Sequence, residues 1–236
     1  MDAAGVAGFL WDNWLSKSQH DLIASCFPDM GAVGPTDSAV ADQRARVFLE
    51  LSAALHDIGK ISKPFARQVV RLADQMAEEG LVSGSNQSTE AKENRWMKHA
   101  LAGAVALSKV GEELGWNPGT VAGLATIAGG HHGTPVQTAQ FDQALNDRLR
   151  FLVDSEPSGP WRDAQREFAL FSHRYLGSPD LAAPVTLTMP ALVLIQALVM
   201  MADWISSPAA NFPLTRGRSL TGYAHESMSG VLPAPE

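Results

Sequence analysis

The chain is poor in cysteine: Cys26 is the only one among 236 residues. A disulfide within the chain is therefore impossible, and a reducing compartment, the cytoplasm, is expected. Cys26 has no neighbour that would lower its pKa, so it reads as a plain thiol. Positive charge is also short. The formal net charge is -7 and the pI is near 5.5, which argues against gripping nucleic acid through bulk positive charge. No secretory signal is present. The most apolar stretch, 189 to 205, contains Gln196 and Asp203 and falls short of the ~20 apolar residues of a membrane span. It reads as a buried helix, and no membrane partner is expected. Period-2 alternation is absent apart from the short Val185-Thr186-Leu187-Thr188, and no internal repeat is found. With 45% hydrophobic and 18% charged residues, the chain is long and apolar enough to bury a core.

What is there is helical periodicity. Val6, Phe9, Leu10 and Trp14 share one face of a first helix that starts with no visible cap. Residues 28 to 38 read as a loop. From Ala39 a second helix carries Val47, Phe48, Leu51, Ala54 and Leu55 on its apolar face and delivers His56 and Asp57 at its end. Further helices are expected over 64 to 79, 96 to 114, the stretch containing Val121, Leu124, Ala125 and Ala128, 139 to 153, 161 to 176 and 190 to 205. A long polar loop is expected over 80 to 94. The fold class is all-α, in one domain over residues 1 to 236.

The chain is organised around Leu55-His56-Asp57-Ile58-Gly59-Lys60. One backbone turn offers an imidazole and a carboxylate together, and Lys60 adds a cation beside them. Gly59 is expected to take a backbone conformation that a Cβ would resist. His99 opens a helix, His131 and His132 close another, and Asp203 ends the apolar one. Singly, each has a plain structural explanation: a helix-start histidine, a surface turn, a polar helix end, a cap. Jointly they form a donor set of imidazole and carboxylate that suits Mn, Fe, Ni, Co or Zn, without the thiolates of structural zinc sites. Six ligands exceed what one catalytic ion with an open position takes. They suit two ions bridged by one carboxylate, Asp57, the device used for phosphate-ester hydrolysis. His20, within Lys17-Ser18-Gln19-His20-Asp21, also forms a His-Asp pair, but it lacks the Gly-Lys sequel and the preceding apolar run. His20, His173 and His225 are assigned to the surface, and the tryptophans to core or interface rather than to nucleobase platforms.

Five stretches carry a resemblance: Ala54 to Lys60, Pro64-Phe65-Ala66-Arg67-Gln68, Lys98 to Gly103, Ile127 to Gly133, and Met201-Ala202-Asp203-Trp204-Ile205. Together they resemble the HD superfamily of metal-dependent phosphohydrolases, and within it the HD nuclease domain of type I CRISPR helicase-nucleases. The resemblance implies a helical bundle and a DNase acting on single-stranded DNA displaced by a CRISPR RNA-guided surveillance complex. It implies two divalent ions (Mn, Fe, Ni or Co, with Mg possible) on His56, Asp57, His99, His131, His132 and Asp203. Asp57 and Lys60 are the catalytic pair, with Lys60 facing the scissile phosphate as a point charge.

Two departures from the family pattern accompany it. The family has a further histidine ligand a few residues before an aspartate of the first helix. The matching aspartate is Asp2, so the chain is expected to be truncated and to lack that histidine. Nor does the chain contain a Gly-x-x-x-x-Gly-Lys-Ser/Thr loop, so the helicase is expected as a separate or omitted partner. Two other functions stay open from the residues alone: a phosphohydrolase acting on nucleotides, which shares the metal chemistry, and a non-catalytic module that docks to a helicase or surveillance complex. Lys60, Lys63, Arg67, Arg71, Arg95 and Lys98 would flank an open cleft in the DNA reading.

Overall fold

The computed structural model describes residues 1–27, 38–68, 70–81, 97–146, 159–177, 181–208, 210 and 212. Most of the loops expected over 28 to 38 and 80 to 94 (residues 28–37 and 82–94), the end of the 139–153 helix, Arg95 and His225 lie outside the described residues. All regular structure among the described residues is helical, as the periodicity implied, and no strand occurs there. Val185 to Thr188 does not form a strand; Thr186 N–H donates to the Cys26 carbonyl at 3.2 Å. The chain divides into two compact units, Met1–Ala54 with Ser172–Glu236, and Leu55–Phe171.

The first unit contains α1 (Asp2–Trp14), α2 (Lys17–Ala24), most of α3 (Ser38–Leu55) and α10 (Met189–Ser206). The sequence reading missed α2. Its start is marked by Ser16 and Gln19, which form a reciprocal capping box, a signal legible in the sequence. α1 begins with no side-chain cap, as its pattern suggested. Val6, Leu10, Trp11, Ile23, Leu49, Leu51, Ile195 and Val199 are fully or almost fully buried and form this unit's core. At about 25 cal/mol per Å² of apolar surface, each large side chain of this kind contributes roughly 1.5–3 kcal/mol.

The expectation that residues 189 to 205 form a buried helix needs correction. α10 buries one stripe, Ala191, Ile195, Leu198, Val199 and Ala202, while Met189, Val193 and Trp204 are exposed at 70%, 61% and 66%. The helix is apolar all round but covered on one side only. By length and composition it is the one helix among the described residues long and apolar enough to cross a membrane.

The second unit contains a 3-10 turn (Ile58–Lys60), α4 (Lys63–Ala66), α5 (Val70–Glu78), α6 (His99–Glu113), α7 (Pro118–Gly130), α8 (Thr138–Asn146) and most of α9 (Pro160–Tyr175). The helix expected over 64 to 79 is broken into α4 and α5. α6 is the spine of this unit, with α7, α8 and the 3-10 turn all packed on it. α7 starts at Pro118, where Pro at the first helical position costs no hydrogen bond, and Asn117 accepts from the Gly119 N–H at 2.9 Å.

Candidate metal centre

The centre is built where α3 stops. Asp57 begins the 3-10 turn, and the Lys60 N–H donates to the Asp57 carbonyl at 2.9 Å. The Asp57 side chain makes no capping bond, so its carboxylate is free for other partners and the cap explanation falls. Ser62 Oγ donates to the Gly59 carbonyl at 2.7 Å, and Gln165 donates to the Ile61 carbonyl at 2.8 Å. These bonds pin the turn from two sides.

Gly59 is required, but for a reason other than the expected one. It is not among the glycines with a left-handed backbone. A Cβ there would sit 1.9 Å from the His99 carbonyl and 2.4 Å from the Gly103 nitrogen, both backbone atoms. Gly59 therefore lets the turn lie directly against the first turn of α6, and that contact holds His99 over Asp57. Gly103 is its counterpart on α6, a residue whose packing role the sequence reading did not assign.

Four imidazoles and one carboxylate converge. His99 Nε2 lies 2.8 Å from His132 Nε2 and 3.3 Å from His131 Nε2. Asp57 Oδ1 is 3.4 Å from His99 Nε2 and 3.7 Å from His131 Nε2. Asp57 Oδ2 is 3.3 Å from His56 Nε2 and also accepts from the Lys60 ammonium. The carboxylate thus presents one oxygen to each side of the cluster. His131 closes α7, and Gly133, with φ of 81°, turns the chain away behind it. The His131 Nδ1 is 2.6 Å from the Ala128 carbonyl. That contact requires the proton on Nδ1, so the Nε2 lone pair faces the cluster, the usual orienting device behind a metal-binding histidine. Phe65 packs edge-on against the His99 ring, with centroids 5.7 Å apart.

The electrostatics favour ligands over acids. Burial raises the Asp57 pKa, but the His56 and Lys60 contacts overcome it and hold the carboxyl well below its ordinary range. Burial pushes His131 down to about 4, and burial likewise lowers His99. A neutral His99 and His131 facing an ionised Asp57 are the protonation states a metal requires.

A divalent ion fits the set. Asp57 Oδ1 is buried and has no hydrogen-bond partner, although it faces two imidazole nitrogens. Ligand atoms ~2.1 Å from one ion stand about 3.0–3.4 Å apart, close to the nitrogen separations here. His99, His131 and His132 form one compact group of potential ligands. Asp203 belongs to α10 in the first unit. It is half-buried there, and its Oδ1 accepts from Ser207 Oγ at 3.0 Å.

The family model described as "Cas3, HD domain" matches residues 1–212. The chain belongs to that family. It is 28% identical over 227 residues to the CRISPR-associated nuclease/helicase Cas3 of Streptococcus thermophilus, covering 90% of this chain and 23% of the relative. Among solved structures, the Thermus thermophilus cas3 HD domain in the presence of Ni2+ superposes with a TM-score of 0.61 at 23% identity, covering 97% of this chain and 77% of that one. A chain of a CRISPR RNA-guided surveillance complex in a pre-nicking state gives 0.60 at 26% identity, covering 97% and 24%. The chain therefore spans about a quarter of the length of the curated relatives it matches.

Of the expected site residues, His56, Asp57, Lys60, His99, His131 and His132 come together in the second unit. His20 is not a bare surface residue. Its ring meets Trp11 edge-on at 4.5 Å, and its Nδ1 pairs with Asp42 at 2.9 Å.

Proposed function

We propose that this chain is the nuclease module of a Cas3-type system. It hydrolyses phosphodiester bonds of single-stranded DNA in CRISPR antiviral defence, with a helicase and an RNA-guided surveillance complex as partners. The observation that carries the reading is the half-buried Asp57 carboxylate, its Oδ1 fully covered, with one oxygen turned to His56 and the other to His99 and His131. His56, Asp57, His99, His131, His132 and, on the resemblance, Asp203 would hold two divalent ions of the Mn, Fe, Ni or Co type. When bound, such ions polarise a phosphoryl oxygen and lower the pKa of a water.

The protein's own groups do the rest. His131 is held with its lone pair inward by the Ala128 carbonyl. Lys60 joins His56 in keeping Asp57 ionised and is itself 43% exposed, so its flexible stem can carry the ammonium to an incoming phosphate. The sequence carries local positive charge just after the His56-Asp57 pair. Between Ile58 and Ala73 the sequence holds Lys60, Lys63, Arg67 and Arg71 and no acidic residue, and Lys98 stands immediately before His99. Local charge of this kind compensates for the acidic whole, and a helicase partner would deliver the strand.

Incubation with manganese or nickel, circular single-stranded DNA and a panel of nucleotides tests the reading. Linearised and degraded circles are expected. Nucleotide turnover without DNA cleavage overturns the reading in favour of a small-molecule phosphohydrolase. Absence of metal binding favours a docking module.

A further inference from the structure

A cavity of about 350 Å³ opens beside the metal centre, within the second unit. His132 belongs to both: its ring lines this cavity, and its Nε2 lies 2.8 Å from that of His99. Lys98, the residue before His99, stands on the cavity's edge and is exposed. The floor is apolar, with Met97, Leu101 and Ala144 contributing. These residues belong to a small core that docks α8 on α6, into which Phe141 and Leu145 also pack.

That docking sets the register of α8. With Phe141, Ala144 and Leu145 turned to the core, Gln140 and Gln143, three residues apart on one helix face, line the cavity instead. The opposite wall is the segment after the paired histidines, through Thr134, Pro135 and Val136. Val136 rests on Gly129, where a Cβ would come within 2.9 Å of its Cγ2. Gly129 therefore sets the depth at which this wall sits.

The chemistry of the lining selects an occupant. The cavity is too small for a helix, which needs a channel about 10 Å wide. It has no carboxylate among its lining residues, so it is not a second cation site. It offers apolar walls to a flat ring, two amides that donate and accept at the edge of that ring, and a lysine beside the reactive centre for a phosphate. We propose that this cavity holds the nucleobase of a nucleotide flanking the cleaved phosphodiester, with Gln140 and Gln143 at the base edge and Lys98 on the adjoining phosphate. The assignment rests on the DNA reading given above. Because an amide can turn to present either donor or acceptor, the cavity accepts all four bases with little preference. It grips a splayed-out base, which single-stranded DNA supplies and a duplex does not.

Affinity for strands lacking one base tests this directly. The probes are a single-stranded hexanucleotide with phosphorothioate linkages and a set in which each base in turn is replaced by an abasic residue. Binding to the manganese-loaded chain is read by fluorescence anisotropy, for the wild type and for the double variant Gln140→Ala, Gln143→Ala. Both glutamines are exposed, so the fold is expected to survive, and nickel binding at the histidines serves as the control. One abasic position is expected to weaken wild-type binding by about tenfold, the size of one lost base contact. The double variant should bind the intact strand more weakly by a similar factor and be indifferent to that abasic position. Equal binding of all abasic strands by the wild type overturns the assignment, as does the same abasic penalty in the double variant. Base-dependent binding without cleavage of the ordinary phosphodiester strand refutes the nuclease reading and leaves the cavity assignment standing. Cleavage without base dependence does the reverse.

Discussion

Two His-Asp dipeptides occur in the described chain, His20-Asp21 in the first unit and His56-Asp57 in the second, and they are used in opposite ways. On α2, His20 turns to Asp42 and Trp11, while Asp21 pairs with Lys17 at 2.8 Å on the surface. His20 Nδ1 and the Asp21 carboxylate each have a partner of the complementary kind. At the end of α3, groups of the same kind face one another. The Nε2 atoms of His99, His131 and His132 close on one point, and a buried oxygen of Asp57 has no hydrogen bond. Burying such atoms without a partner costs free energy, which a bound cation offsets. The dipeptide alone is uninformative. A surplus of lone pairs directed at one space is what separates a site from a structural pair.

The largest effect should come from removing the carboxylate at the second dipeptide. Asp57→Ala is expected to lower manganese-dependent cleavage of single-stranded DNA by more than ~100-fold, since it removes a ligand rather than an outer partner. Asp21→Ala should leave cleavage within about twofold. Matched initial rates at one metal concentration check both. Full activity in the first variant would erase the distinction between the dipeptides.

The sequence carried this distinction only in part. The helices were legible because Val47, Phe48, Leu51 and Leu55 repeat at helical spacing, and the candidate ligands because His56, His99 and His131 each sit at a helix end. The function of Gly59 was not legible. A glycine needed for φ and one needed for close approach look identical in sequence, and only the His99 carbonyl at its back decides between them. Likewise, nothing in the sequence says that Ala128 supplies the carbonyl that orients His131, because a backbone atom leaves no trace in residue type. The break between α4 and α5 was hidden because the apolar spacing continues across it. The half-exposure of α10 was hidden because Met189, Val193 and Trp204 are as apolar as the stripe it buries.

Metal itself offers the next test. Manganese at 100 times its Kd should stabilise the wild type by about 2.7 kcal/mol if it binds only the folded chain, seen as a rise in Tm. His99→Ala should remove most of that rise, and His20→Ala should leave it in place. Equal loss in both variants would mean that metal binding does not distinguish the two histidines.

Gly59→Ala separates packing from ligation. The added Cβ meets backbone on both sides, so the turn must move away from α6. A cost of about 1–3 kcal/mol is expected from such overpacking, measured as a lower urea midpoint without added metal. No counterpart exists at the first dipeptide, where Ile23 stands two residues after Asp21. Unchanged stability in Gly59→Ala would show that the turn is not held against His99 by this contact.

The smallest effect concerns two carboxylates, buried Glu50 in the first unit and half-buried Asp57 in the second. Burial raises both. At Asp57 the neighbouring His56 and Lys60 win, and the pKa falls. At Glu50 burial outweighs Arg46, and the pKa rises, with Asp12 adding to the rise. Arg46 is shared, lying 2.8 Å from Glu50 Oε1 and 2.8 Å from Asp12 Oδ2, which explains why it neutralises Glu50 incompletely. The folded chain therefore holds the Glu50 proton more tightly than the unfolded chain does. Its contribution to stability is fully present below the unfolded value and is lost as pH rises through the folded one. Glu50→Gln, which resembles the protonated acid, should match the wild type in acid and become the more stable of the two as pH rises through that window. Urea titrations at a series of pH values measure the difference. If the variant instead falls below the wild type as pH rises, the Arg46 pairing outweighs burial, and the two carboxylates are governed by the same balance.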